Sequence, residues 1–306
     1  MKVAITGATG FVGSRLVERL QKQGMKILVL TRNTERARKL FPANTYPDVE
    51  IIAYTPTTSG SWQNEIANCE GVVNLAGSPI SEGRWTTERK QEILSSRKFT
   101  TQKIVEAIAS SSTKPQVLVN ASAIGYYGTS ETATFDENSL SSNDFLAQVC
   151  QVWEAEAQKV TDSNVRLVIL RFGIVLGMEG ALGKMITPFK LFAGGPIGSG
   201  EQWFSWIHLD DMVSLILQAL TNSEMSGVYN GTAPNPVRMA ELSTTMGKVM
   251  NRPSWLPVPA FAIEAMLGDG AVVALEGQKV LPKRTLESGF TYEYSDLEPA
   301  LKDILE

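Results

Sequence analysis

MKVAITGATGFVG, residues 1–13, is the stretch of sequence that decides the fold. A short apolar run leads into three glycines, Gly7, Gly10 and Gly13, and a helical pattern follows at once. Gly7 permits a tight turn, Gly10 lets backbone N–H groups approach a phosphate, and Gly13 lets the helix pack close to the strand. Placed between a strand and a helix, these glycines predict a dinucleotide-binding site; a glycine-rich packing turn is the alternative.

Strand and helix patterns alternate along the N-terminal half. Short buried strands are predicted at residues 3–5, 27–30, 49–52, 72–75, 117–119 and 167–170. Helices are predicted between them, at residues 11–24, 35–41, 87–111 and 144–160. This order predicts an α/β fold with a Rossmann-type doubly wound parallel sheet, in which ligands bind beyond the carboxyl ends of the strands.

The end of the second strand, LVLTRN at residues 28–33, indicates which dinucleotide is preferred. An NAD site commonly has an acid here to bind the ribose 2′-hydroxyl, and this sequence has none. Thr31 offers a hydroxyl and Arg32 a fork of donors, which suits a 2′-phosphate. We therefore expect NADP (NADPH) as the cofactor; the alternative is that Arg32 is a solvated residue at the strand end.

Glycine and proline become denser after residue 177. We expect residues 1–177 to form the NADP-binding Rossmann domain, with residues 205–233 returning to it as a helix and a strand. Residues 178–204 and 234–306 are expected to form a smaller C-terminal α/β cap that covers the substrate.

The composition excludes several classes of function. Of the 306 residues, 43% are apolar and 20% charged, and the net charge of −4 comes without a basic block, so no nucleic-acid partner is expected. No apolar run approaches the roughly 20 residues of a membrane span. Two distant cysteines, Cys69 and Cys150, fit a reducing compartment, the cytoplasm. A single histidine, His208, and the absence of ligand spacing predict no metal site.

Seven further motifs occur in order along the chain: ASAIGYYG (121–128), QVWEAEA (151–157), RFGIVLG (171–177), GGPIGSG (194–200), WIHLDD (206–211), NGTAPNP (230–236) and LEGQKVLPKRTLESGF (275–290). With the glycine turn they resemble the extended short-chain dehydrogenase/reductases of the NAD(P)-dependent epimerase/dehydratase superfamily. More closely, they resemble an atypical, uncharacterised epimerase-family subgroup that has a C-terminal domain of unknown function, some members of which are labelled cell-division inhibitor.

The resemblance implies a set of cofactor contacts. Small residues after the fourth strand let the cofactor lie against the backbone, two positions on the long helix face it, and one position lies beside the nicotinamide. The implied residues are Gly7, Thr9, Gly10, Phe11, Val12, Gly13, Thr31, Arg32, Leu75, Ala76, Gly77, Glu92, Arg97 and Val175. For Glu92 and Arg97, an exposed charged helix face is the alternative.

The resemblance also exposes a missing catalytic pair. Relatives commonly carry Tyr-x-x-x-Lys on the helix after the fifth strand, where the ammonium lowers the phenol pKa and makes a general base. Aligned on the WEAE segment, the tyrosine position is Gln148 and the lysine position is Val152. Neither side chain ionises, so neither replaces the pair. The helix then reads as one that shows an apolar face to the sheet.

Other groups are candidates for the chemistry. Ser122 ends the fifth strand, where a hydroxyl can polarise a substrate carbonyl or alcohol. Tyr126 and Tyr127 follow in a loop expected to overhang the nicotinamide, as proton donors or as packing rings. Lys184 and Lys190 in the cap are further candidates. Hydride transfer tolerates the loss of a strong acid because much of its rate comes from alignment.

Three functions follow from the sequence. The first is an NADP(H)-binding atypical short-chain dehydrogenase/reductase, an oxidoreductase or epimerase acting on an unknown small carbonyl or hydroxyl substrate. The second is a catalytically silent NADPH-binding regulatory or scaffold protein. The third, an interaction protein without a cofactor, conflicts with the intact glycine turn. Either a monomer or a homodimer formed through the helices at 87–111 and 144–160 is expected.

Overall fold

The computed structural model describes residues 1–306. Its strands are β1 Lys2–Thr6, β2 Lys26–Thr31, β3 Val49–Ala53, β4 Gly71–Asn74, β5 Val117–Ala123, β6 Thr134–Phe135, β7 Arg166–Phe172, β8 Ile174–Leu176, β9 Trp203–Phe204, β10 Trp206–His208, β11 Gly227–Gly231, β12 Val237–Arg238 and β13 Lys279–Val280. Its α-helices are α1 Phe11–Lys22, α2 Thr34–Leu40, α3 Thr87–Ser110, α4 Phe145–Gln158, α5 Gly180–Lys190, α6 Leu209–Thr221, α7 Met239–Met250, α8 Ala260–Leu267, α9 Val272–Leu275, α10 Lys283–Glu287 and α11 Leu297–Leu305. None of these helices combines the length and apolar composition needed to cross a bilayer.

Seven strands form one parallel sheet in the order β11-β7-β5-β4-β1-β2-β3. Strand order reverses between β1 and β4, so the carboxyl ends of these two strands flank a crevice of the kind that binds ligands in doubly wound folds. All six predicted strands lie in this sheet, and the predicted fold class is confirmed.

Both faces of the sheet are covered, which explains why its strands read as continuous apolar runs. Leu16, Leu20 and Ile216 of α1 and α6 pack on one face. Ile104 and Ile108 of α3 pack on the other, together with the end of α4. The edge strand β11 and helix α6 come from beyond residue 205, so the chain returns to the sheet after leaving it.

A third hydrophobic core lies in the C-terminal part of the chain. Helices α5, α7 and α11 pack there around fully buried Trp206, with Leu182, Leu242 and Leu301 among the buried residues. The strand β13 pairs with β6, which ties the C-terminal segment to the loop after β5. The C-terminal segment therefore lies over the carboxyl edge of the sheet.

The fifth strand extends further than the sequence predicts. It continues to Ala123 because the polar residues after Val119 are buried and hydrogen-bonded within the sheet. The Asn74 side chain donates to the Asn120 side-chain oxygen (2.7 Å) and to the Thr101 hydroxyl (2.9 Å), and it accepts from the Thr6 hydroxyl (2.7 Å). This network joins the carboxyl ends of β1, β4 and β5 and fixes the edge on which the site is built.

Candidate functional site

A cavity of about 710 Å³ lies along the carboxyl ends of β1, β4, β5 and β7. Its volume falls within the roughly 300–1,000 Å³ typical of small-molecule sites. One end is walled by the glycine turn, including Gly7, Gly10 and Gly13, and the wall continues past Leu75 to Ser122. One continuous space therefore connects the predicted phosphate turn with the predicted catalytic serine.

The glycine turn is built so that no other residue fits at two of its positions. Gly7 has a φ of +73°, and a Cβ there would lie 2.8 Å from the Leu75 carbonyl carbon. A Cβ on Gly13 would lie 2.2 Å from the Gly7 carbonyl oxygen. Gly10 is the N-cap of α1 and offers no side-chain cap, and the first turn of α1 has no acid. The first N–H groups of α1 have no partner within the helix, and an uncapped helix N-terminus of this kind favours an anion.

Two arginines lie just beyond the carboxyl end of β2, Arg32 directly after the strand and Arg36 in helix α2. Thr31 is buried, and its hydroxyl oxygen accepts from the Asn33 N–H at 3.2 Å. Arg32 is exposed. Arg36, in the first turn of α2, donates to the Thr9 carbonyl oxygen at 3.5 Å, which brings a second guanidinium to the glycine turn. Sequence reasoning missed Arg36, although the run TRNTERAR places it four residues after Arg32.

The long helix α3 contributes one residue to the cavity wall and one to the surface. Arg97 lines the cavity, where its Nη1 donates to the Ser78 carbonyl at 3.0 Å and its guanidinium lies 5.1 Å from the Trp153 ring centroid. Burial lowers the pKa of Arg97 to about 10, so the guanidinium stays charged at neutral pH. Glu92 is exposed and accepts from the Ser78 hydroxyl (2.9 Å) and from Arg89 (2.7 Å). It lies outside the cavity wall, as the alternative of an exposed charged face expects.

Some of the remaining predicted cofactor residues line the cavity, and others lie next to its wall. Phe11, Val12 and Leu75 line the cavity. Thr9, Ala76 and Gly77 flank it: the Ala76 N–H donates to the Asn74 side-chain oxygen at 3.4 Å, and Gly77 lies against the Arg97 guanidinium.

The Val175 side chain points away from the cavity, so a contact with the nicotinamide would have to come from its backbone, as the resemblance implies. Its side chain packs against the core cluster between the sheet and helices α1 and α6. The cavity wall is formed instead by the preceding residues Gly173 and Ile174. Successive side chains of a strand point to opposite sides, so Ile174 and Val175 cannot both face the cavity.

Helix α4 turns a different face to the cavity than the sequence alignment expects. Its cavity-lining residues are Phe145, Leu146, Val149, Cys150 and Trp153. The predicted positions Gln148 and Val152 lie outside the wall, and the Gln148 amide donates to the Asn143 carbonyl at 3.0 Å. Successive residues of a helix are about 100° apart, so Gln148 and Val152 lie on a different face of α4 from the residues that line the cavity.

The residues that α4 does present to the cavity include no tyrosine and no lysine either. The cavity-facing positions four residues apart include Leu146 and Cys150, and neither provides an acid or base near neutral pH. Burial raises the pKa of the Cys150 thiol to about 11. No cavity-lining residue of α4 therefore replaces the Tyr-x-x-x-Lys pair.

Ser122 is held by a buried ion pair. Its hydroxyl donates to Glu154 Oε1 at 2.6 Å, and Arg171 donates to both carboxylate oxygens of Glu154, each at 2.8 Å. The ion pair is almost fully buried, with side-chain exposures of 4% and 11%. Burial by itself lowers the pKa of Arg171, but the hydrogen bonds and the charge of Glu154 have the larger combined effect, so the pKa is raised. The serine proton therefore points at Glu154, and the oxygen lone pairs remain for a ligand.

Sequence reasoning missed both members of this ion pair. The available signals were the glutamate after Trp153 and Arg171, which follows the apolar run LVIL in the strand RLVILRF. A charged residue in a buried strand needs a partner, which would have called for a search for a nearby acid.

Neither candidate tyrosine lines the cavity. The Tyr127 hydroxyl donates to the Asn230 side-chain oxygen at 2.8 Å and accepts from Arg171 at 2.9 Å, and burial raises its pKa to about 12. The Tyr126 ring lies under the Arg171 guanidinium, 3.4 Å from the ring centroid. Both tyrosines thus pack against Arg171 and do not overhang the cavity as the sequence predicts.

The two lysines proposed from the cap and the single histidine also lie outside this wall. Lys184 is exposed and donates to the Ser81 carbonyl at 3.1 Å, and Lys190 is exposed. His208 is the N-cap of α6, where its Nδ1 accepts from the Asp210 N–H at 3.2 Å. Ser122 is therefore the one sequence-predicted catalytic residue that reaches the cavity.

Comparisons with known proteins agree with this arrangement. The profile of the NAD dependent epimerase/dehydratase family matches residues 3–230, and that of a domain of unknown function (DUF1731) matches residues 258–304. Epimerase family protein SDR39U1 homolog, chloroplastic, from Arabidopsis thaliana is 52% identical over 309 residues, covering 100% of this chain and 87% of that protein. Epimerase family protein YfhF from Bacillus subtilis is 42% identical over 307 residues, covering 100% of this chain and 98% of that protein.

A solved structure is similar over the whole length. The crystal structure of human epimerase family protein SDR39U1 (isoform2) with NADPH superposes with a TM-score of 0.86 at 35% sequence identity, covering 99% of each chain. The similarity therefore includes the sheet, the cavity wall and the C-terminal segment together.

Proposed function

Because the chain belongs to the NAD dependent epimerase/dehydratase family, we propose that it is an atypical short-chain dehydrogenase/reductase that binds NADP(H) and acts as an oxidoreductase on a small carbonyl or hydroxyl compound. Family membership confirms the resemblance indicated by the sequence motifs. The observation that carries the proposal is the continuous cavity from the glycine turn to Ser122.

The residues present fit the cofactor. The close approach of Gly13 to Gly7 and the uncapped N-terminus of α1 suit a pyrophosphate. Arg32 and Arg36 would hold the 2′-phosphate, and no acid stands at the end of β2 to favour NAD. The human relative whose structure contains NADPH is similar over 99% of this chain, which supports the same choice.

The chain's own groups would orient the substrate more than move protons. When bound, the nicotinamide supplies or accepts a hydride. Ser122 would contact the reacting oxygen, and Glu154 fixes the direction of the serine proton as a positioning residue. Burial raises the pKa of Cys150 to about 11, and the Tyr127 hydroxyl is bound to Asn230 and Arg171, so neither group serves Ser122 as a general acid or base near neutral pH. This favours hydride transfer over epimerisation, because much of the rate of hydride transfer comes from alignment.

The experiment is a fluorescence titration with NADPH followed by a screen of carbonyl compounds for loss of NADPH absorbance in a single turnover. We expect saturable binding and oxidation by at least one compound. Ser122→Ala should slow the oxidation and leave NADPH binding unchanged. If oxidation proceeds equally fast in Ser122→Ala, Ser122 has no catalytic role.

A second candidate function rests on the missing pair. Since no residue that α4 presents to the cavity can act as the tyrosine or the lysine of the missing pair, a silent NADPH-binding regulatory or scaffold protein also fits the wall. NADPH binding without oxidation by any carbonyl in the screen would favour this function over the first.

Location and assembly complete the proposal. Both cysteines are free, buried thiols, which is consistent with the reducing cytoplasm that we propose. We further propose a monomer or a homodimer formed through α3 and α4, which sedimentation velocity would distinguish.

A further inference from the structure

The far end of the cavity, beyond Ser122, has a chemistry of its own. We propose that it binds an apolar, uncharged carbonyl or hydroxyl compound and not a nucleotide or a sugar phosphate. This inference rests on the proposed function and adds its substrate class. We call this end the apolar lobe and define it by Ile80, Trp85, Phe145, Leu146, Val149 and Val273, all of which line the cavity.

Three separate segments of the chain build the apolar lobe. Ile80 and Trp85 come from the loop before α3, Phe145, Leu146 and Val149 from α4, and Val273 from α9, and they form one hydrophobic cluster. The Trp85 and Phe145 rings pack edge to face with centroids 5.3 Å apart. The one polar atom of Trp85, Nε1, donates to the Ile80 carbonyl at 2.9 Å. The lobe therefore presents carbon surface to a ligand.

The C-terminal segment closes the lobe from above. The backbone N–H of Trp85 donates to the Leu267 carbonyl at 3.4 Å, and the Arg84 guanidinium donates to the Ala265 carbonyl at 3.0 Å. Gly270 lies against the Trp85 indole, where a Cβ would come within 2.9 Å of Nε1. These contacts hold the aromatic wall in place, so the lobe is formed before a ligand arrives.

The charged side chains on the cavity wall are all engaged within the protein. Lys90 pairs with Asp269 at 2.7 Å. Glu276 accepts from the Thr129 hydroxyl at 2.5 Å, and Asp144 accepts from the Ala147 N–H at 3.0 Å. Arg97, the other basic residue, is bound to backbone carbonyls beside Gly77, toward the cofactor end.

This arrangement disfavours a ligand with phosphate groups. Phosphates are bound by arginine forks, lysines or helix N-termini. The N-terminus of α4 points its N–H groups toward the lobe, but Asp144 already caps it with a negative charge. The wall carries three acids against two bases: Lys90 is paired with Asp269, and Arg97, which no acid pairs, lies beside Gly77 at the cofactor end. A nucleoside diphosphate in the lobe would therefore meet acids and no free cation. An apolar molecule with one oxygen would place that oxygen at Ser122 and its hydrocarbon body between Trp85, Phe145 and Val273.

The test is calorimetric titration of the full-length protein with two probes, 2-decanone and UDP-glucose, each with and without saturating NADPH. We expect 2-decanone to bind with a negative heat-capacity change, the sign of apolar burial, and UDP-glucose not to bind at the same concentration. Binding of UDP-glucose as tight as that of the ketone, or no binding of the ketone, would overturn the inference.

Variants locate the binding. Val273→Asp places a charge in the lobe from the C-terminal segment and should weaken ketone binding at least tenfold, with the Kd for NADPH unchanged. Leu140→Asp is the matched control, because Leu140 is 88% exposed and lies outside the wall, and it should bind the ketone as the wild type does. Ketone binding that survives Val273→Asp would show that the ligand does not occupy the lobe.

The two proposals fail separately. Loss of NADPH binding in the wild-type protein would refute the proposed function, while the titration without cofactor still reads ketone binding to the lobe. If Val273→Asp also loses NADPH binding through misfolding, Ile80→Asp, in the loop before α3, provides the same test from the opposite wall.

Discussion

Gly13→Ala should destabilise the protein even though alanine is the better helix former. A Cβ at residue 13 would lie 2.2 Å from the Gly7 carbonyl oxygen and 2.7 Å from the Ala8 Cα, both backbone atoms. Opening the first contact to the 3.0 Å below which real Cβ contacts are essentially not found requires α1 to move by about 0.8 Å. The next turns of α1 carry Leu16, Val17 and Leu20, all fully buried against the sheet, so the movement disturbs the core.

The expected loss is about 1–3 kcal/mol of unfolding free energy, the usual range for overpacking. Helix propensity alone would change the free energy by about 1 kcal/mol in the opposite direction. Urea denaturation followed by circular dichroism measures the difference. A Gly13→Ala variant as stable as the wild type, or more stable, would refute the claim that α1 packs against the turn at this distance.

Gly10→Ala is the matched control on the same carbonyl oxygen. A Cβ at residue 10 would lie 3.3 Å from the Gly7 oxygen, and the residue has an extended backbone that any residue adopts. Its stability should stay within about 0.5 kcal/mol of the wild type. NADPH binding should nevertheless weaken, because the added methyl group covers the phosphate approach. Equal loss of stability in both variants would contradict the geometry.

Three further predictions concern charged and titratable groups. Glu154→Ala leaves Arg171 buried without its carboxylate partner, so urea denaturation should show a loss of about 3–5 kcal/mol of unfolding free energy. A loss under about 1 kcal/mol would mean that the Arg171 guanidinium reaches water. Burial lowers the pKa of His208 in the folded protein, so the unfolded chain takes up this proton at a higher pH than the folded protein does. The free energy of unfolding should therefore decrease as the pH falls below the ordinary histidine pKa of about 6.5, by at most about 1.4 kcal/mol per pH unit. Unfolding measured from pH 7.5 to 5.5 should show this slope in the wild type and not in His208→Asn, which retains a helix cap; an unchanged slope in the variant would assign the titration to another group. Arg36→Ala should weaken NADPH more than NADH in fluorescence titrations, and equal weakening of both would remove Arg36 from the 2′-phosphate site.

The sheet and the glycine turn were predictable because each depends on local pattern. Short apolar runs separated by helical periodicity admit few folds, and Gly7 and Gly13 are demanded by backbone geometry at their own positions. Ser122 was predictable for a related reason, since a residue that ends a parallel strand lies at the carboxyl edge of the sheet.

The surroundings of Ser122 were not predictable, because they depend on packing between distant segments. The sequence does not say which face of α4 meets the cavity: alignment on WEAE points to Gln148 and Val152, whereas residues such as Leu146, Cys150 and Trp153 line the wall. From the sequence alone Glu154 looks like a surface residue, because its contact with Arg171 forms only when α4 packs against β7. The same arginine binds the Tyr127 hydroxyl and holds that side chain away from the cavity, an effect that no spacing in the sequence reveals.

The most direct test of the account is a pair of fluorescence titrations, NADPH and NADH, on the wild type and on Arg32→Asp. The account predicts that the wild type prefers NADPH and that Arg32→Asp weakens NADPH at least tenfold, about 1.4 kcal/mol, with little change for NADH. A wild-type protein that binds neither nucleotide, or a variant in which both affinities fall equally, would contradict it.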